Sequence, residues 1–290
     1  MQFFRKASFI LFGELAEKFL DFFPDLKLDL KRARLKYSAQ EYLTLAIMTS
    51  FIIFQVETPI FAFVYGFLFK NFSFAFFMAL TTSLFLTISF FFLFINYPKM
   101  VAGKRSKQIE TKLPFVAIHL SAISKSKLPP ANMFKILTKF KEYKEVNEEF
   151  NSIIRDTEIF GLDIETALER ASERSPSKNL RELLWGILST IRAGGELSVY
   201  LREKAKEFMA IYRERLNDFA KNLTLYIEIY LTAIILGTIF FVILTAIMAG
   251  IAGVGENIIF LQSLMTIGMV PLISLIFIYL IKASSPGGVE

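Results

Sequence analysis

From Leu43 to Asn96 the chain carries only two side chains expected to be charged, Glu57 and Lys70, and it holds 15 of the 33 Phe. From Leu223 to Ile281 there are two acids, Glu228 and Glu256, and no Lys or Arg. A helix crosses the roughly 30 Å hydrocarbon core of a bilayer with about 20 apolar residues, at about 1.5 Å each. Each run therefore suits two spans, and the spans are expected near 43–69, 74–96, 223–249 and 258–281.

The basic residues orient these spans. Of 33 Lys and Arg, 8 fall in 1–42 and 23 in 97–222. Lys70 lies in the first short loop and Lys282 in the tail, while Ala249 to Asn257 has no base. The positive-inside rule places both termini and residues 97–222 in the cytoplasm. The expectation is an all-α integral membrane protein: four transmembrane helices in two hairpins flanking a cytoplasmic six-helix bundle. Its parts are an N-terminal amphipathic segment (1–42), hairpin 1 (43–96), the bundle (97–222), hairpin 2 (223–281) and a cytoplasmic tail (282–290).

Near the start, Phe9, Ile10, Leu11 and Phe12 are interrupted by Arg5, Lys6, Glu14, Glu17, Lys18 and Asp21. No small-residue cleavage site follows, so a signal peptide is not expected. Two placements stay open: an amphipathic helix on the inner membrane face, or a helix packed on the cytoplasmic domain. Lys31, Arg32, Arg34 and Lys36 precede the first span, where anionic lipid headgroups stabilise them.

Residues 97–222 are polar overall with helical periodicity. Leu180, Leu183, Leu184, Ile187, Leu188 and Ile191 form one apolar stripe, with Ser177 as N-cap and Gly194 past its end. Ile164, Ala167, Leu168 and Ala171 form a second, capped by Asp163. Leu113, Val116, Leu120 and Ile123 form a third. Breaks at Ser126–Pro129, Phe160–Asp163 and Gly194–Leu197 mark turns between helices, and Gly161, Gly194 and Gly195 permit them. Between Leu197 and Ile235 no Gly or Pro occurs, so the last cytoplasmic helix is predicted to continue into the third span.

Composition excludes much chemistry. With no Cys and one His, there is no disulfide framework, no thiolate metal site and no His-rich zinc site. No phosphate-binding loop of the Walker type is present. Catalytic residues, a cofactor site, a metal site and a nucleic-acid partner are all not expected. His119 is expected as a packing residue. Glu57 and Glu228 are candidates for an intramembrane polar site, since a carboxylate at mid-bilayer costs about 3 kcal/mol. The other reading of Glu57 is a span that ends earlier, with a kink at Pro59. Arg155, Arg170, Arg174, Arg181 and Arg192 are either a solvated, ion-paired face or a docking face for an acidic partner.

Four motifs carry a resemblance: Lys112-Leu113-Pro114-Phe115, then Phe160-Gly161-Leu162-Asp163 through Leu168, then Leu180-Arg181-Glu182-Leu183-Leu184, then Arg192-Ala193-Gly194-Gly195-Glu196-Leu197. Their order resembles the F-domain of the type II secretion system, shared by platform proteins of type IV pili, Tad pili and the archaellum, over roughly 107–250. Ser126 stands where the family usually has Gly. A single domain between two hairpins looks like the Tad-type or archaeal single-domain members. The resemblance implies a platform beneath a pilus-like filament, without catalysis of its own. Its implied partners are a hexameric secretion ATPase, pilin subunits, and a second copy or a paralogous platform protein. The alternative is a channel or transporter component lined by Glu57 and Glu228. Four spans with so few polar groups make a poor aqueous pore unless oligomers build one.

Overall fold

The computed structural model describes residues 2–69, 71–252 and 270–284, together with residues 260, 263, 267 and 268. Among these, the longer regular elements are helical and no strand occurs. They are α1 (Gln2–Leu20), α2 (Leu26–Arg32), α3 (Ala39–Leu68), α4 (Phe72–Ser124), α5 (Pro130–Leu137), a 3₁₀ turn (Lys141–Tyr143), α6 (Lys144–Glu158), α7 (Ile164–Arg174), α8 (Lys178–Arg192), α9 (Leu197–Ala252) and α10 (Val270–Ser284).

Three helices, α3, α4 and α9, are long and apolar enough to cross a membrane. A capping box fixes the start of α3: Ser38 Oγ accepts from the Glu41 amide at 3.1 Å, and the Glu41 carboxylate accepts from the Ser38 amide at 3.0 Å. The expected fourth span is described only as α10, 15 residues long. Most of 253–269, with Gly253, Gly255 and Glu256, and also Lys70, lie outside the described residues.

Two helices run from an apolar stretch into a polar one without a break. α9 runs unbroken for 56 residues, about 84 Å, as the missing Gly and Pro predict. α4 does the same over 53 residues, which was not expected, because Pro98 and Pro114 both fall within it. A proline inside a helix removes one i→i−4 hydrogen bond. For Pro98 the bereaved acceptor is the Phe94 carbonyl, and the Tyr42 hydroxyl donates to it at 2.8 Å.

The chain divides into two compact units: Met1–Lys112 with Ser126–Tyr200, and Leu113–Lys125 with Leu201–Glu290. Residues 97–222, expected as one bundle, are therefore shared between them, because α4 and α9 each pass without a break from one unit into the other. In the first unit, α3 and α4 form an antiparallel hairpin closed by Thr58 Oγ1 and Ser83 Oγ, 2.8 Å apart. Its helical segment is centred on Phe134 and Phe150, whose rings stack at 4.8 Å. The expected stripes are buried: Leu180, Leu183, Leu184 and Leu188 in α8, and Ala167, Leu168 and Ala171 in α7, are all 0% exposed. In the second unit the end of α4 lies along α9, with Phe115 edge-on to Tyr212 at 5.3 Å. α10 folds back on α9, where Tyr230 meets Ser274 at 3.0 Å and the ring of Phe277 at 5.2 Å.

α1 packs on α3: Phe12 meets Phe51, and Ala16 is buried in one cluster with Tyr42, Leu43 and Ala46. The small side chains of Ala16 and Ala46 let the two backbones approach closely.

Candidate functional site

The turns come first, because they place every charged face. α8 ends in a Schellman arrangement: the Gly194 amide donates to Ile191 O at 3.0 Å and the Gly195 amide to Thr190 O at 2.9 Å. Gly194 has φ 65° and Gly161 has φ 67°. Gly195 was grouped with them as a turn glycine, but its φ is not positive; its own demand is space, with Thr190 Cγ2 3.3 Å from where a Cβ would sit. At the first break the left-handed residue is Lys127, φ 53°, next to Ser126. Asp163 caps α7 through the Thr166 amide at 2.8 Å. That bond holds its carboxyl below the usual aspartate value. Ser177 caps α8 through the Leu180 amide at 3.1 Å.

The Glu110 carboxylate of α4 then secures the start of α8. It accepts from Ser177 Oγ at 2.8 Å and from Asn179 Nδ2 at 2.7 Å. An anion at a helix N-terminus is favoured by the helix dipole. Glu110 gave no distinguishing signal in the sequence, because its partners lie 67 and 69 residues away.

A second set of charges was also missed. Arg105 Nη2 lies 2.7 Å from Glu149 Oε1, and Arg105 Nε lies 2.8 Å from Glu145 Oε2. Arg34 Nη2 reaches the same Glu149 oxygen at 3.3 Å and Arg34 Nη1 meets Glu148 at 2.5 Å. Arg105 also donates to the Arg32 carbonyl. The Glu149 side chain is 1% exposed and Arg105 10%. Two guanidinium groups on one buried carboxylate tie the end of α2, the polar part of α4, and α6 together. Arg34 reaches it from a left-handed backbone, φ 56°. The basic cluster before the first span thus has an internal role beside the one expected at lipid headgroups.

The five arginines singled out in the sequence divide. Arg174 pairs with Asp156 at 3.1 Å and donates to Ser152 Oγ at 2.5 Å. Arg192 pairs with Glu165 at 2.9 Å and Glu169 at 3.5 Å, and these carboxylates raise its pKa. Arg181 donates to the Ser175 carbonyl at 3.4 Å; burial, then the nearby charge of Arg32, push its pKa down. Arg155 and Arg170 are exposed and form no ion pair among the described residues. One helical turn beyond Arg155, Ile159 and Phe160 are 73% and 65% exposed. Arginine and aromatic side chains are enriched in protein interfaces.

Within the apolar helices, Glu57 is half-buried on α3, and its Oε2 is buried without a hydrogen-bond partner among the described residues. The helix continues past it to Leu68 with Pro59 inside, so no break falls at Glu57. Glu228 is exposed on α9, away from Glu57 in sequence and in the other unit. His119 is half-buried on α4 between Ile118 and Leu120.

Residues 116–245 match the family model described as type II secretion system (T2SS), protein F. This match covers the motifs from Phe160 to Leu197, while Lys112-Leu113-Pro114-Phe115 lies just before it. An uncharacterized protein of Methanocaldococcus jannaschii is 27% identical over 139 residues, covering 48% of this chain and 23% of that protein. The chain thus spans less than a quarter of the relative it matches. No solved structure matches the chain.

Proposed function

We propose that this chain, with its type II secretion system F segment, is a platform protein of the cytoplasmic membrane for a pilus-like filament machine of the type IV, Tad or archaellum kind. It couples a cytoplasmic hexameric ATPase to the insertion or extraction of pilin subunits and does no chemistry itself. The observation that carries this reading is the continuity of α4 and α9, each an apolar span and a polar helix in one rod. An α-helix is stiff along its axis, so a displacement at the polar end reaches the apolar end without a joint to absorb it.

In this reading four spans leave residues 97–222 and the C-terminus in the cytoplasm, in keeping with the 23 Lys and Arg of that segment. Arg155, Arg170, Ile159 and Phe160 supply the ATPase-docking surface. Arg174, Arg181 and Arg192 maintain the fold beneath it. A second copy or a paralogue completes the platform. Deleting the gene is expected to abolish surface filaments while pilin subunits remain in the membrane. Filaments in normal number would overturn the reading.

A further inference from the structure

We propose that Arg32, at the end of α2, and Arg181, in the first turn of α8, together form a site for a phosphate oxyanion, supplied by a lipid headgroup or by free phosphate. The inference goes beyond the platform role, and only its lipid source rests on α3 being a span.

The fold brings the two residues together. Arg181 Nη2 donates to the carbonyl of Ser175, the residue that ends α7, at 3.4 Å. α2 packs against α7. Arg105 of α4 holds the end of α2 by donating to the Arg32 carbonyl. All of these residues belong to the first compact unit. The charge of Arg32 is near enough to add to the effect of burial in lowering the pKa of Arg181.

Neither charge is answered within the chain. Both residues are half-buried. Arg32 Nε and Arg181 Nε are buried without a hydrogen-bond partner among the described residues. Neither arginine forms an ion pair among those residues. The nearby acids are taken by other groups. Glu148 pairs with Arg34, Glu145 and Glu149 with Arg105, and Asp156 with Arg174. Glu110 accepts from Ser177 and Asn179 at the start of α8. Glu182, beside Arg181 in the chain, is exposed and offsets only part of the shift.

Two like charges held together away from water cost free energy, which a shared anion removes. A guanidinium presents a planar fork of N–H donors that matches phosphate oxygens two at a time. A phosphate has oxygens enough for both forks, and as a monoester it carries roughly two negative charges at neutral pH. Six residues separate Arg32 from Ser38, the cap of α3, and Lys31 and Lys36 are exposed beside it. Basic pockets at the inner end of a span are where headgroup phosphates bind.

Thermal melting of the purified full chain in an uncharged maltoside detergent tests the site. Two probes are titrated separately: inorganic phosphate against chloride at equal ionic strength, and phosphatidylglycerol against phosphatidylcholine. A saturable rise in Tm is expected with at least one probe. A rise with phosphatidylglycerol alone assigns the site to headgroups, and a rise with phosphate assigns it to free phosphate. Arg32→Gln and Arg181→Gln are each expected to weaken the apparent affinity at least tenfold, while Lys31→Gln with Lys36→Gln leaves it nearly unchanged. No saturable rise with either probe overturns the proposal. So does an equal response in the parent chain and in either arginine variant.

Discussion

The Tyr42 hydroxyl donates to the Phe94 carbonyl at 2.8 Å, joining the two helices of the first hairpin at the residue that Pro98 leaves without its helical donor. The two rings also stack, with centroids 5.1 Å apart. A buried carbonyl left unpaired costs about 1–3 kcal/mol. Tyr42→Phe is therefore expected to destabilise the hairpin by that amount. In a Pro98→Ala background, where the helix supplies its own donor, the same substitution should be nearly neutral. Unfolding of the four variants in micelles measures the coupling; equal losses in both backgrounds would contradict this role.

Arg105 and Glu149 form the buried pair beneath the basic cluster. Replacing Arg105 with Met leaves the carboxylate to Arg34 alone, at 3.3 Å. Removing one partner of a buried pair costs about 3–5 kcal/mol, while exchanging both for apolar groups is much cheaper. Arg105→Met should lower the unfolding free energy by that range, and Arg105→Met with Glu149→Leu should recover most of it.

Lys127 holds a left-handed backbone, φ 53°, in the break between α4 and α5. That conformation costs a non-glycine residue about 1–2 kcal/mol. Lys127→Gly is expected to raise stability by about 1 kcal/mol after the greater flexibility of glycine in the unfolded chain is subtracted. A thermal melt of the variant checks it.

Asp163 caps α7 as a carboxylate, held below the ordinary aspartate value of 3.8 by the Thr166 amide. A depressed folded pKa means the stabilisation is complete above the unfolded value and is lost as pH falls through the lower folded one. The stability advantage over Asp163→Ala should therefore be constant from pH 7 down to about 5 and shrink below about 4. Thermal melts of both proteins across that range test it.

Local signals were legible and tertiary ones were not. Ser177 and Asp163 could be identified as caps because a cap needs only its own next turn. The stripes of α7 and α8 follow from spacing, and α9 from a run without Gly or Pro. Leu43–Asn96 declared a hairpin by its missing charge. Lys127 could not be seen, because no residue type announces a left-handed turn except Gly or Asn. Gly186 looked like an ordinary helical glycine, yet a Cβ there would collide with the Tyr200 hydroxyl, which belongs to the next helix. The continuity of α4 was hidden by Pro98, whose cost is offset by a hydroxyl from another helix. The docking of α1 brings Ala16 into one buried cluster with Leu43 and Ala46, and nothing in either sequence neighbourhood specifies that packing. Among the arginines, spacing could not tell the internally paired Arg174 and Arg192 from the exposed Arg155 and Arg170, since their carboxylates come from other helices.

The central claim is that an exposed basic and aromatic surface on the helical segment receives a hexameric secretion ATPase. Its most direct test is the affinity of the full chain, in lipid nanodiscs at low salt, for that ATPase. Saturable binding that weakens as salt rises is expected, with at least a tenfold loss in Arg155→Glu with Arg170→Glu. No comparable loss is expected in Lys178→Glu, an exposed control on α8 whose Glu182 contact is a loose 3.9 Å. No binding at low salt, or equal binding by the Arg155→Glu, Arg170→Glu variant, would contradict it.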